Sequence, residues 1–254
     1  MHRCPTGYGF EMVLDLSIPH HRLICLGVYE PGTVRLIQEI LEEGDCFLDA
    51  GANIGIYSLI ASGKVGSKGR VFAFDADPWN HQLCCENLQI NRIDNVDLQR
   101  VALGETQRSA RFISAKRVNS ACSGLEEAVE SVVSAEEGPG QGDEVIEVEM
   151  DTLDRLCAEV KGWSSGKVIL KMDIEGAEPL AIDGATELIE RLDGVIFEYN
   201  PLLVERLGFD WDYIPRKLFE RGFEGFLIRE GTGRLIPYSS CRTTCGNLYF
   251  RRVS

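Results

Sequence analysis

The feature that most constrains this chain is an alternation. From Cys46 onward, short apolar runs of strand length are separated by stretches with helical signals. "CFLDA" (46–50), "RVFAFDA" (70–76), "VDLQRVAL" (96–103), "VIEVEM" (145–150), "KVILKMD" (167–173) and "GVIFEYN" (194–200) read as strands, with "ARFIS" (110–114) a further short one. "IGIYSLIASGKV" (54–65), "PWNHQLCCENLQIN" (78–91), "DTLDRLCAEV" (151–160), "AEPLAIDGATELIERL" (177–192) and "WDYIPRKLFERG" (211–222) read as helices. Pro78 stands where a helix begins, and Asp77 precedes it as a cap. Asp151 or Thr152 caps the helix that follows the fourth strand. Apolar strands joined by helices require a mainly parallel sheet with helices on both faces. "FEGFLI", "RLIPY" and "GNLYFRRV" follow one another too closely for helical crossovers, so an antiparallel hairpin is expected at one edge.

Two regions depart from this rhythm. Residues 1–44 form an N-terminal extension. "FEMVLDLS" and "RLICLGVY" read as one or two short strands, His20 and His21 fall in a polar turn, and a helix starts at Pro31 and closes at Gly44. Residues 116–144 form an insertion. Nine acids lie between Glu126 and Glu149, and no Lys or Arg occurs from Val118 to Asp154. It reads either as a solvated insertion or as a lid over a site. The 254 residues suit a single domain carrying both additions.

Charge and cysteines narrow the partners. A net charge of -14 opposes nucleic acid and anionic membranes. No apolar run reaches the roughly 18 residues of a membrane span, and "MHRCPTGYGFEM" lacks a secretory signal, so a cytoplasmic protein is expected. Nine cysteines are scattered without a C-x-x-C pair. Cys241 and Cys245 come nearest to a zinc pair, and reduced thiols are the simpler expectation.

In a parallel sheet the ligand lies beyond the carboxyl ends of the strands. The residues to read are therefore Asp49 to Gly55, Asp75, Ala102, Asp173 to Glu175, and Glu198. The first loop, "DAGANIG", is not G-x-G-x-x-G: Asn53 replaces the middle glycine, Gly55 falls one place early, and Asp49 precedes the loop. A carboxylate there disfavours a pyrophosphate but suits a cation. S-adenosylmethionine (SAM) has a sulfonium, an ammonium and no phosphate. Gly51 and Ala52 allow close backbone approach, and Asn53 offers an amide to the ligand carboxylate or to the loop itself. Asp75, 24 residues after Gly51, is placed to accept the ribose hydroxyls of an adenosine.

These segments carry a family resemblance. "YEPGT" (29–33), "FLDAGANIGIYSL" (47–59), "FAFDADP" (72–78), "VALGE" (101–105), "DTLDRL" (151–156), "KMDIEGAEPLAIDGA" (171–185) and "IFEYNP" (196–201) resemble, in order and spacing, the FkbM family of class I SAM-dependent methyltransferases. The resemblance implies a Rossmann-like α/β fold, a seven-stranded sheet with one antiparallel strand, and O-methylation of sugars, polyketides or other small metabolites. It also implies that Glu30 approaches the SAM ammonium. The family usually has Glu where Asp75 stands, which shortens the reach here. The insertion lies where members vary, so the acceptor is not implied.

Methyl transfer to a hydroxyl needs in-line positioning and a base. On "KVILKMD", alternate residues share a face, so Ile169, Lys171 and Asp173 point one way and Val168, Leu170 and Met172 the other. Lys171 needs a carboxylate partner, Asp173 or Glu175. Asp173 is expected near the SAM amino or methyl region, with Glu175 orienting or deprotonating the acceptor and Lys171 stabilising the acids or a developing alkoxide. No metal is expected, the alternative being Mg²⁺ held by clustered carboxylates. Ala102 is expected at the cofactor with Glu30, Asp49, Gly51, Ala52, Asn53, Gly55, Asp75 and Asp173. The function expected is SAM-dependent O-methylation of a small hydroxylated molecule. The alternatives are an NAD(P) oxidoreductase and a non-catalytic SAM-binding module; oligomeric state is not encoded in any readable signal.

Overall fold

The computed structural model describes residues 1–115, 123–129, 144–164, 166–238 and 245–253. Residues 116–122 and 130–143 of the acidic insertion, and Cys241 of the near-pair, lie outside them. In chain order the strands are β1 (His2–Pro5), β2 (Glu11–Leu14), β3 (Cys46–Ala50), β4 (Arg70–Phe74), β5 (Val96–Gln99), β6 (Ala102–Leu103), β7 (Arg108–Ser114), β8 (Gly124–Leu125), β9 (Glu144–Asp151), β10 (Val168–Met172), β11 (Gly194–Tyr199), β12 (Phe223–Arg229), β13 (Arg234–Pro237) and β14 (Gly246–Arg252). The helices are α1 (Pro19–Leu26), α2 (Pro31–Ile40), α3 (Ile56–Val65), α4 (Pro78–Ile90), α5 (Glu126–Val129), α6 (Leu153–Leu156), α7 (Glu178–Asp183), α8 (Pro201–Arg206) and α9 (Tyr213–Phe219).

The main sheet has the order β13-β12-β14-β11-β10-β3-β4-β5. Strands β11, β10, β3, β4 and β5 run parallel. Strand β14 runs antiparallel to both neighbours, β11 and β12. The α/β architecture is as expected, with eight strands in this sheet rather than seven. The expected edge hairpin is β12–β13, while the antiparallel strand β14 lies inside the sheet. Strand order reverses between β3 and β10, so the crevice for a ligand opens at their carboxyl ends.

The pleat splits the core in two. Cys46, Leu48, Ala50, Val168, Leu170 and Met172 join α6, α7 and α9 on one face. Phe47, Val71 and Ile169 join α1 to α4 on the other. Asp49 and Lys171 fall on the second face and stand side by side in register.

Three local expectations are corrected. "RLICLGVY" is not a strand: its first half is helix α1, with Pro19 in the first turn and Gly27 at the C-cap in the left-handed region (φ 72°), its amide bonded to Ile24 O. His20 and His21 are therefore helical residues. "VDLQRVAL" breaks after Gln99, and Ala102–Leu103 leaves to join a second sheet, β6-β9-β7-β8. In that sheet β7 pairs with β9 over its full seven residues. The helices after β9 and β10 are shorter than read. Thr152 Oγ1 caps α6 by accepting Arg155 N, and α7 ends at Asp183. Asp77 caps α4 as expected, accepting from Trp79 N and Asn80 N. No helix among the described residues is long and apolar enough to cross a membrane.

Candidate active site

A cavity of about 260 Å³ opens at the carboxyl ends of β3, β4 and β10. Its floor is the loop after β3. Gly51 (φ 85°) lies so close to the end of β10 that a Cβ would sit 1.9 Å from the Asp173 carbonyl oxygen. Gly51 N and Ala52 N both donate to Phe74 O at 2.9 Å. Asn53 turns left-handed (φ 50°); its Oδ1 accepts Ile54 N at 2.8 Å, so the side chain serves the loop. Of the four non-glycine residues with positive φ among the described residues, Glu30, Asn53 and Glu175 line this cavity. Strain of this kind concentrates at functional sites.

Asp75 lines the wall, and both carboxylate oxygens are already engaged. Oδ2 accepts Asn53 N at 2.7 Å and Oδ1 accepts Asp77 N at 2.9 Å. Each oxygen keeps a second lone pair for a hydroxyl. Burial, and then the Asp77 charge, push its carboxyl up to about 8. Ala102 and Leu103 of the second sheet, with Phe112 and with Ser123 to Leu125 from the described part of the insertion, form an apolar wall beside it. Asn80 also lines the cavity, and its Oδ1 is buried without a hydrogen-bond partner.

At the base of the cavity lies an ion hub. Lys171 is 2% exposed, donates to Asp173 Oδ2 at 3.1 Å, and places Nζ 4.4 Å from the centre of the Tyr57 ring. Burial pulls its ammonium down, but Asp173, Asp49 and Glu30 together hold it above its ordinary value. Glu30 accepts from Tyr57 Oη, and from Asn247 Nδ2 at 3.0 Å. Asp49 is fully buried: Oδ2 accepts Ser58 Oγ at 2.6 Å, and Oδ1 has no partner. Asp49 and Gly55 are not lining residues; Asp49 sits beneath the loop, and Gly55 packs on Cys84, whose sulfur a Cβ would meet at 2.7 Å. Of the other expected residues, Glu30, Gly51, Ala52, Asn53, Asp75, Ala102, Lys171, Asp173 and Glu175 all line the cavity.

On the opposite rim, Asp173, Glu175 and Glu198 bring carboxylate oxygens within 4.8 Å of one another. Three carboxylates at this spacing can share a proton or hold a divalent cation. Burial, then Asp173 and Glu198, push Glu175 up to about 9. Burial and Asp173 push Glu198 up to about 8. His20, on α1, faces the same space. Burial pulls its imidazole below the ordinary value, against the charge of Asp173. His21 turns inward, fully buried, with Nδ1 accepting Asp15 N at 3.0 Å.

Sequence reasoning underrated His20 and overlooked Tyr29, Tyr57 and Asn80. His20 hid behind the strand reading of the neighbouring segment, although Pro19 and Gly27 bracket a helix. Tyr29 and Tyr57 sit inside "YEP" and "IGIYSL" and carry no spacing signal of their own.

Among the described residues the cavity lining carries five carboxyl groups, Glu30, Asp75, Asp173, Glu175 and Glu198, and one ammonium, Lys171. A pyrophosphate would meet a lysine already held by Asp173, and a ligand with net positive charge is welcome beside Glu30 and Asp173. The unpartnered Asp49 and Asn80 oxygens add acceptors beneath and beside the cavity.

A model of the FkbM methyltransferase domain matches residues 49–224. An uncharacterized protein of Methanocaldococcus jannaschii is 28% identical over 89 residues, 34% of this chain and 33% of the relative. The chain thus spans about a third of that relative's length. Among solved structures, a SAM-dependent O-methyltransferase from Thermotoga maritima is 16% identical with a TM-score of 0.42, covering 88% of this chain and 66% of that one. A SAM-dependent methyltransferase from Aquifex aeolicus is 15% identical with a TM-score of 0.47, covering 95% of this chain and 100% of that one.

Proposed function

Because the chain belongs to the FkbM methyltransferase family, its methyl donor is S-adenosylmethionine, and we propose that it methylates a hydroxyl of a small molecule. The observation that carries this is the cavity at the β3–β10 crevice, where carboxylates in excess surround one lysine and Asp75 ends β4. When bound there, the donor supplies an electrophilic methyl group on a sulfonium. Asp75 takes the ribose hydroxyls, supported by the Asn53 and Asp77 amides. Ala102, Leu103 and Phe112 offer the apolar wall for the adenine. Glu30 and Asp173, held by Lys171 and Tyr57, receive the cationic amino-acid end.

A hydroxyl attacks only as its proton leaves, and a positioned base is worth about 10²–10⁴-fold. His20 fills that role. Its imidazole is pulled toward the neutral form, and the Asp173 charge stabilises the imidazolium once the proton arrives. Glu175, held up to about 9, keeps its proton at neutral pH and orients the acceptor hydroxyl beside Glu198. The partner follows the same charge logic: a small hydroxylated molecule, rather than nucleic acid or an anionic membrane, handled in the cytoplasm.

The test uses SAM labelled with ¹³C on its methyl group and an extract of small metabolites. The expected product carries its label at the carbon shift of an O-methyl ether, and a methyl ester would instead mark a carboxylate acceptor. Label on nitrogen, sulfur or carbon refutes O-methylation. In calorimetry, S-adenosylhomocysteine should bind, NAD should not, and Asp75→Ala should lose most of the affinity. NAD binding without S-adenosylhomocysteine binding would restore the oxidoreductase alternative.

A further inference from the structure

We propose that Cys4 and Cys25 are a redox-modification site: a thiol pair that closes to a reversible disulfide and clamps α1 to β1. Cys4 lies on β1 and Cys25 on α1. Both side chains pack against the same core, and burial, then the neighbouring Cys25 thiol, raise the Cys4 thiol above its ordinary value. Cys25 Sγ stands 4.0 Å from Pro5 O, one residue beyond Cys4, and Cys4 Sγ 3.6 Å from His2 O. The surrounding backbone leaves them little room to separate. Gly7 N donates to Cys25 O at 3.2 Å, and a Cβ on Gly7 would lie 2.7 Å from Gly27 Cα. Both cysteines are partly exposed, so an oxidant reaches them. Cys46, Cys84 and Cys157 are buried, and burial pushes their thiols up, to about 12 for Cys46. Cys4 is raised as well, but it stays partly exposed, whereas those three are shut off from an oxidant.

The oxidant is a small disulfide of the glutathione class. One thiolate attacks a glutathione sulfur and expels a glutathione thiolate, giving a mixed disulfide. The second cysteine thiolate attacks the protein sulfur of that bond, forms Cys4–Cys25, and expels the second glutathione. Two S–H bonds and one glutathione S–S bond break, one protein S–S bond forms, and the two protons end on the two glutathione thiols. The pair gains two-electron oxidation and glutathione the matching reduction. The clamp matters because α1 carries His20 and Ile24 onto the cavity wall. It also lies before residue 49, where the matched domain starts, so it is a property of this chain's own extension.

The test equilibrates the full chain with reduced or oxidised glutathione, blocks free thiols with N-ethylmaleimide, and maps peptides without reduction. Oxidation should yield a peptide linking Cys4 to Cys25 that Cys4→Ser and Cys25→Ser both lack. The thermal midpoint should rise by roughly 5 °C in the wild type and not in Cys4→Ser. Amide exchange in peptides covering residues 19–27 should slow on oxidation only when both cysteines are present. Thiols that stay alkylatable in excess oxidised glutathione, or that end as two separate glutathione adducts, overturn the pair. A linked peptide with unchanged exchange over 19–27 overturns the clamp.

Discussion

Replacing Lys171 by Met tests the ion hub most directly. Lys171 is 2% exposed and stands in register with Asp49, which is fully buried and has one oxygen without a hydrogen-bond partner. Methionine fills similar volume but leaves Asp49, Asp173 and Glu30 without their cation. Breaking a buried pair from one side costs about 3–5 kcal/mol, because the remaining charge stays desolvated. The cost should depend on pH. Burial already raises the Asp49 and Glu30 carboxyls above their ordinary values, with Lys171 opposing. An acid raised in the fold gives stability that is full below its unfolded pKa and is lost as pH rises through its folded pKa. Without Lys171 both climb further, so the deficit should widen as pH rises above the ordinary carboxylate range. Adding Asp49→Asn should recover most of it, since an uncharged pair of similar shape is close to neutral. Urea unfolding of the wild type, both single variants and the double variant at three pH values measures all of this. A Lys171→Met deficit below about 1 kcal/mol, a deficit flat with pH, or no recovery in the double variant would refute the hub as described.

Three further outcomes are expected. Gly51→Ala forces a Cβ to within 1.9 Å of the Asp173 carbonyl at φ 85°, so it should lose roughly 3 kcal/mol or more and most S-adenosylhomocysteine binding, read by melting and calorimetry. His21 is pulled down to about 4 by burial and then by His20, so its contribution is complete above about pH 6.5 and fades as pH falls toward 4; by linkage it is worth roughly 3 kcal/mol. Urea melts should show His21→Phe with a pH slope about one proton shallower across that window. Glu230 accepts Gly32 N at 2.8 Å, Thr33 N at 3.1 Å, and also Thr33 Oγ1 and Asn247 Nδ2, so Glu230→Ala should cost about 2–3 kcal/mol in a thermal melt and leave the start of α2 frayed in amide exchange.

Much of the sheet was legible because its strands are buried on both faces and therefore apolar throughout; "CFLDA", "KVILKMD" and "GVIFEYN" have few other readings. The strand-end rule then located Asp75, Asp173 and Glu175 without any fold in hand. What stayed hidden depends on contacts between distant segments. Asp49 looked like a ligand to the donor, yet its partners, Ser58 and the register neighbour Lys171, hold it beneath the floor. Helix α1 was misread because its apolar residues do not form one clean stripe: Ile24 is buried while Leu23 and Leu26 are exposed. With α1 taken as a strand, His20 had no route to the cavity. The split of "VDLQRVAL" was equally invisible, since only pairing with β9 decides where Ala102 goes.

The internal position of β14 bears on biosynthesis. Strand β14 fills the gap between β11 and β12, contributing Leu248 and Phe250 to one core and Tyr249 to the other. A ribosome that has released residue 224, where the matched domain ends, has delivered every strand-end carboxylate of the cavity but not the strand that zips the sheet. Until residue 252 emerges, β11 is a bare, apolar edge able to pair with another nascent copy. The sheet therefore closes only once residue 252 has left the ribosome, and truncations at the domain boundary should aggregate rather than yield a smaller enzyme.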